Sequence, residues 1–194
     1  MKKRLAVLIS GGGTNLQAIL DACKKDEINA EVVLVVSSNA QAYGLTRAKN
    51  FGIGTVIAQK SDYESNEKRD EYILKELKTA QPDFIVLAGY LGILTDILIS
   101  AYPKKIINIH PALLPSFGGK NFHGLNVHKA VIEAGEKYSG ATVHFVDSGI
   151  DTGEILAQEK LAVLDSDTPE SLQQRILETI EHKLLIGTLK ELCK

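Results

Sequence analysis

The sequence has no tryptophan, a single methionine, five prolines and two cysteines. Two cysteines, Cys23 and Cys193, cannot build the disulfide framework of a small secreted domain. They also match no metal or redox spacing, so a reducing, cytoplasmic setting is expected. An excess of one charge is missing as well: 22 Lys and Arg stand against 24 Asp and Glu, for a formal net charge of -2. The basic residues are spread along the chain rather than gathered into a patch, which argues against nucleic acid as a partner. No apolar run is long enough to span a bilayer, and the basic start Met1-Lys2-Lys3-Arg4 leads into an apolar run too short for a signal peptide, so no membrane partner is expected. No Gly/Ser/Pro-rich linker, repeat or low-complexity segment divides the 194 residues, of which 44% are hydrophobic. A single domain over residues 1–194 is expected.

What is present is an alternation of short apolar runs with helical patterns. Strands are expected at Arg4 to Ile9, Glu31 to Ser37, Thr55 to Ala58, Phe84 to Ala88 and Ile106 to His110. Helices are expected at Leu16 to Lys24, near Tyr43 to Phe51, within Ser61 to Thr79 and at Val127 to Ala134. Such alternation predicts an α/β fold, a mainly parallel Rossmann-like sheet with helices on both faces. Ala141 to Val146 and Ile155 to Leu161 flank a Gly/Asp-rich loop and can pair as a hairpin, which would make the sheet mixed at one edge. Thr168-Pro169 supplies an N-cap and a first-turn proline for a long terminal helix marked by Leu172, Ile176, Ile180 and Leu184.

Four stretches carry candidate chemistry. Ile106 to Pro115 reads as a buried strand broken at His-Pro. Asn108 and His110, two apart, then share one face at its C-terminal end, where open parallel sheets place their sites. An amide donor and a proton-moving imidazole would meet there, or else both are satisfied in a core corner. Ser10 to Asn15 lies between a strand and a helix, so backbone N–H groups at Gly12, Gly13, Thr14 and Asn15 can hold an anion. It lacks the Gly-Lys-Ser/Thr of a P-loop and the third glycine of a dinucleotide fingerprint. Ser37-Ser38-Asn39 likewise supplies no acid for a ribose, so a phosphate monoester fits better than NAD. Asp147 to Gly153 places two carboxylates in one loop, either a solvated turn or a ligand loop able to bring Asp151 against His110 and favour its charged form. Glu181, on the Leu177, Glu181, Leu185 row, is either an amine ligand or a snorkelling surface acid. His144 reads as a structural histidine. His123, His128 and His182 show no metal spacing and read as loop or surface residues.

Ser-Gly-Gly-Gly-Thr-Asn-Leu-Gln-Ala-Ile, Asn-Ile-His-Pro-Ala-Leu-Leu-Pro-Ser-Phe and Val-His-Phe-Val-Asp followed by Asp151-Thr-Gly occur here in one order. Together they closely resemble the phosphoribosylglycinamide formyltransferase family, folate-dependent enzymes of purine synthesis, from Leu5 to Glu181. The resemblance implies a single-domain formyltransferase fold, with an N-terminal half binding the phosphoribosyl substrate and a C-terminal half for folate and catalysis. It implies formyl transfer from 10-formyltetrahydrofolate, a co-substrate, to phosphoribosylglycinamide, with no metal and with the protein a monomer or homodimer. Gly12, Gly13, Thr14 and Asn15 would bind the phosphate and Glu181 the glycinamide end. Asn108 would steady the formyl oxygen, His110 would donate the proton, and Asp151 would orient His110 and raise its pKa. Leu91, Gly92, Ile93, Leu94, Asn108 and Asn66 would bind the folate. Gly92 and Asn66 depart from the family pattern, which often has arginine or another basic residue at these positions. Phe117 to His123 resembles a longer, glycine-containing variant of the family's loop. A methionyl-tRNA formyltransferase would carry a further C-terminal domain and a formyltetrahydrofolate hydrolase an extra N-terminal one; neither is expected. The rival from another class is a non-catalytic nucleotide-binding module.

Overall fold

The computed structural model describes residues 1–194. One seven-stranded sheet runs through it in the order β3-β2-β1-β4-β5-β6-β7. The strands are β1 (Lys3–Ile9), β2 (Ala30–Ser37), β3 (Thr55–Ile57), β4 (Phe84–Leu87), β5 (Ile106–His110), β6 (Tyr138–Phe145) and β7 (Ile155–Ala162). β1 to β5 are mutually parallel, whereas β6 runs antiparallel to β5 and β7 antiparallel to β6. The expected mixed edge is therefore present, made by the expected hairpin.

Helices cover both faces: α1 (Thr14–Lys24), α2 (Tyr43–Asn50), α3 (Asn66–Ala80), α4 (Asp96–Ala101), α5 (Leu125–Glu133), α6 (Pro169–Ile176) and α7 (His182–Leu192). This explains why β1 reads as an unbroken apolar run. Leu5, Val7 and Ile9 enter one hydrophobic layer with Leu16, Ile19, Leu172, Ile176 and Leu185, while Ala6 and Leu8 enter the other with Ile73, Leu77 and Leu98. A strand covered on both sides has no polar face to alternate with. Each such fully buried Leu or Ile contributes roughly 1.5–3 kcal/mol from apolar burial.

From β1 the chain first builds outward through β2 and β3, then returns to lay β4 on the other side of β1. Adjacent parallel strands whose connections leave in opposite directions open a crevice at their C-terminal ends. Ser10 after β1 and Gly89 to Leu94 after β4 flank that crevice, with Asn108 and His110 at the end of β5.

Three elements differ from the sequence reading. α4 was not expected; its six residues, entered from Thr95, are too few for a periodic signal. β6 begins at Tyr138 rather than Ala141, because Ser139 and Gly140, small residues that look like a turn, pair with Leu161 and Lys160. The terminal helix is interrupted by a π-helical turn, Leu177–Glu181, between α6 and α7. Such turns insert a residue and often sit at functional sites.

The start of α6 matches expectation. The Thr168 side chain accepts from the Ser171 amide at 3.2 Å while the Ser171 hydroxyl accepts from the Thr168 amide at 2.9 Å. Thr168→Ala is expected to lower stability by about 1 kcal/mol, read as a lower urea midpoint at unchanged m-value. Unchanged stability would show that the cap contributes nothing.

Candidate active site

A cleft of about 700 Å³ lies over the C-terminal ends of β1, β4 and β5, lined among others by Gly12, Asn15, Leu91 to Leu94, Asn108, His110, His144, Asp151 and Glu181. It draws on residues from both halves of the chain. Asn108 and His110 do share one face, as their spacing predicts.

The centre of the polar network is the Asp151 carboxylate, only 11% exposed, on the loop between β6 and β7. Its Oδ2 accepts from the Gly119 amide at 3.0 Å and lies 3.4 Å from His110 Nδ1. Its Oδ1 lies 3.4 Å from Asn108 Nδ2 and 3.6 Å from His144 Nε2. Asp151 holds a positive φ of 58°, a backbone state that Asp tolerates better than most residues but that costs energy and recurs at functional sites. The other ring nitrogen of His110, Nε2, donates to the Phe117 carbonyl at 2.8 Å. In the neutral ring Nδ1 then faces Asp151 as a lone pair, so the ion pair forms only when the imidazole is protonated.

The net pKa of His110 runs against the sequence expectation. Burial lowers it below the ordinary histidine value, and the upward pull of Asp151 and of the Phe117 carbonyl does not overcome this; nearby His144 lowers it further. Asp151 does favour the charged form, but desolvation is larger. For Asp151 burial acts upward, yet the His144 contact, the charge of His110 and the Gly119 amide together hold its pKa below the usual value.

Two more histidines border the network, one where the sequence puts it and one not. His144 is 1% exposed, and its Nε2 is 3.1 Å from Asn108 Nδ2. It is the buried structural histidine expected on this strand; its partner is set only by the pairing of β5 with β6, in which Asn108 lies opposite His144. His128, read as a surface residue, is fully buried on α5 and borders the cleft, with neither ring nitrogen hydrogen-bonded. Burial, and then the charge of His110, push its pKa down to about 4. His123 does lie exposed at the rim. His182 is half-buried beside Glu181.

At the other end of the cleft, α1 begins without a side-chain cap, leaving its first N–H groups free for an anion. Gly13 adopts φ 71°, and a Cβ there would fall 2.7 Å from the Cα of Gly44. The loop is held from below by Arg47, whose Nε donates to the Gly12 carbonyl at 2.8 Å and Nη1 to Gln17 at 3.0 Å. Gly12 and Asn15 line the main cleft, whereas Thr14 faces a shallow neighbouring groove with Arg47 and His182. The Asn15 side chain is already committed: its Nδ2 donates to Glu181 Oε2 at 2.8 Å. Glu181 is no surface acid. The π turn seats it 8% exposed at the cleft, and burial raises its pKa, opposed by the Asn15 hydrogen bond.

Leu91 and Ile93 stand exposed at the mouth, and the main chain on both sides of Leu94 is fixed from behind by a buried ion pair of α3. Arg69 Nη2 bonds Asp70 Oδ1 at 2.7 Å and the Ile93 carbonyl at 2.6 Å, while Asp70 Oδ2 accepts from the Thr95 amide at 2.6 Å. Asn66 is not part of the cleft lining; its Oδ1 lies 3.4 Å from Arg69 Nη1. Gly92 is required by its neighbour: a Cβ would lie 2.6–2.8 Å from atoms of the Tyr90 ring.

An Asn, a His and an Asp meeting at the switch-point cleft of a Rossmann-like sheet form a site with the groups to hold an acyl oxygen and to move a proton. The formyl transferase family model matches residues 3–189, and the chain belongs to that family. It is 43% identical to the chloroplastic phosphoribosylglycinamide formyltransferase of Arabidopsis thaliana over 100% of its own length and 66% of the relative's. It is 42% identical to the enzyme of the same name from Haemophilus influenzae over 91% of its own length and 81% of the relative's. The chain thus spans a little under two thirds of the Arabidopsis relative, and 62% of a second chloroplastic one from Vigna unguiculata. Glycinamide ribonucleotide transformylase 1 of Geobacillus kaustophilus superposes with a TM-score of 0.93 at 40% identity, covering 100% of both chains. Within the formyl transferases the chain therefore belongs to the phosphoribosylglycinamide formyltransferase family.

Because His128 is neutral when buried and charged when unfolded at mildly acidic pH, the unfolded state binds the extra proton. Its contribution to stability is present above about pH 6.5 and is lost as pH falls toward about 4. The loss is expected to be on the order of 2–3 kcal/mol by pH 4. Urea unfolding of His128→Leu and wild type from pH 7 to pH 4 checks this: the variant should lose less stability, and parallel curves would refute it.

Proposed function

We propose that the protein transfers the formyl group of 10-formyltetrahydrofolate to the amine of phosphoribosylglycinamide, giving formylglycinamide ribonucleotide and tetrahydrofolate. The observation that carries this reading is the meeting of Asn108, His110 and Asp151 between an anion-ready helix terminus on one side and the apolar slot of Leu91 to Leu94 on the other.

Roles follow from what the reaction needs. The phosphate sits on the N–H groups from Gly12 to Asn15, where helix dipole and unpaired donors act together. Glu181, held by Asn15, receives the glycinamide end. The folate ring enters the Leu91 to Leu94 slot and is read by main-chain groups that Arg69 and Asp70 hold in place. Asn66, behind that slot, acts through Arg69. As the amine attacks the formyl carbon, charge grows on the formyl oxygen; an Asn108 N–H and the His110 Nε2 N–H, redirected from the Phe117 carbonyl that holds it in the free protein, lower the barrier. The amine must then lose a proton and the folate N10 must gain one. His110, with Asp151 beside Nδ1, is placed to pass it. Folate is a co-substrate here and no step calls for a metal. The compartment we propose is the cytoplasm, where free thiols such as Cys23 and Cys193 persist. The partners are these small molecules, and the active species is a monomer or homodimer.

Purified protein given both substrates should release tetrahydrofolate only when phosphoribosylglycinamide is present; release without it would overturn the reading in favour of a formyltetrahydrofolate hydrolase, and no release at all in favour of a non-catalytic binding module. Asp151→Asn removes the one neighbour that pulls the His110 pKa up by its charge. That pKa should fall further, the imidazolium should become scarcer at neutral pH, and kcat should drop on the order of 10²-fold or more with much smaller changes in KM. NMR titration of His110 beside steady-state kinetics reads both. An unmoved titration with near-normal kcat would assign Asp151 to an ordinary turn.

A further inference from the structure

The direction of the Asn108 carboxamide matters to the reading above, on which this inference rests: only its NH2 end can donate to a formyl oxygen, and the other end would repel it. An amide can sit either way round, so something must choose. The candidates are the groups within reach, Asp151 Oδ1 at 3.4 Å and His144 Nε2 at 3.1 Å.

Asp151 Oδ1, which can only accept, admits the same NH2 end but at the longer distance; His144, the nearer partner, holds it there by hydrogen-bond logic. Its Nδ1 is 2.8 Å from the Phe145 carbonyl, which can only accept, so Nδ1 carries the proton. In the neutral ring Nε2 then has only a lone pair to offer. A lone pair facing Asn108 admits the NH2 end and excludes the oxygen. The ring itself is locked: His144 is 1% exposed and lies directly opposite Asn108 in the β5–β6 ladder. One N–H of Asn108 is thus engaged by His144 at 3.1 Å, and the second, on the cleft side, meets only the longer 3.4 Å contact to Asp151 Oδ1.

We propose that His144 is a positioning residue that fixes which way Asn108 faces the reacting formyl group. It touches no reacting atom and acts through Asn108.

The test uses the full chain. His144→Gln retains an acceptor near the Nε2 position, and His144→Leu retains bulk without one. His144→Leu should lower kcat on the order of 10²-fold, the scale for losing one oxyanion donor, with KM for either substrate changed by less than about threefold. Gln should recover most of it. In an Asn108→Ala background the Leu substitution should cost nothing more, since residues acting as a unit are not additive. A multiplicative loss there, or a Gln variant as poor as Leu, overturns the proposal. A readout independent of turnover is the Asn108 side-chain amide in ¹⁵N-edited NMR. A scalar coupling across the hydrogen bond to His144 Nε2 is expected in the wild type, and its absence overturns the proposal even if His144→Leu does not fold. Failure of phosphoribosylglycinamide-dependent turnover in the wild type would instead sink the functional reading while leaving the NMR result standing.

Discussion

The antiparallel pairing of β5 with β6 is the contact on which the site depends. β5 ends a run of parallel strands, and in a parallel sheet the side chains at its C-terminal end would have only other strand ends beside them. Adding β6 in the opposite direction places His144 across from Asn108 and Thr142 across from His110. Thr142 then donates to the Ala112 carbonyl at 2.7 Å and accepts from the Leu114 amide at 3.1 Å, fixing the chain as it leaves the strand. The same hairpin carries Asp151 back over the strand end. One change of strand direction thus supplies two of the four polar side chains of the network and anchors the turn that follows His110.

Burial sets the electrostatics more than pairing does. His110 and Glu181 are both pushed toward their neutral forms by desolvation, in spite of Asp151 beside the one and Asn15 beside the other. A group held near neutrality in a dry cleft can exchange a proton at modest cost, which suits acid–base work better than a locked ion pair. Arg69 and Asp70 show the opposite arrangement. They are buried at 2% and 0% exposure, paired with each other and bonded to backbone on both sides of Leu94. Removing one partner of such a pair typically costs about 3–5 kcal/mol. That rigidity holds the slot main chain in place without an arginine at position 92, where the Tyr90 ring leaves no room for a side chain.

Much of the fold was legible because strand and helix periodicities are local. The alternation of apolar runs, the His-Pro break at the end of β5, the glycine turn before α1 and the Thr168-Pro169 start of α6 are each written in a few consecutive residues, and hydrogen bonding and backbone geometry leave few other ways to form them. The shared face of Asn108 and His110 follows in the same way, from a period of two. α4 and the π turn were not legible, since six residues or one inserted residue carry no periodic signal.

Tertiary structure decided the environments. Which carboxylate meets His110, that His144 orients toward Asn108, that His128 is buried and that Glu181 binds Asn15 all depend on contacts between residues far apart in the chain, up to the 166 positions separating Asn15 from Glu181. The sign of the His110 shift depends on the balance of desolvation against charge, and desolvation exists only once the surrounding layers have closed. The sequence by itself determined which chemical groups are available and which strand end carries them; packing determined their partners, their protonation and the direction in which each one faces.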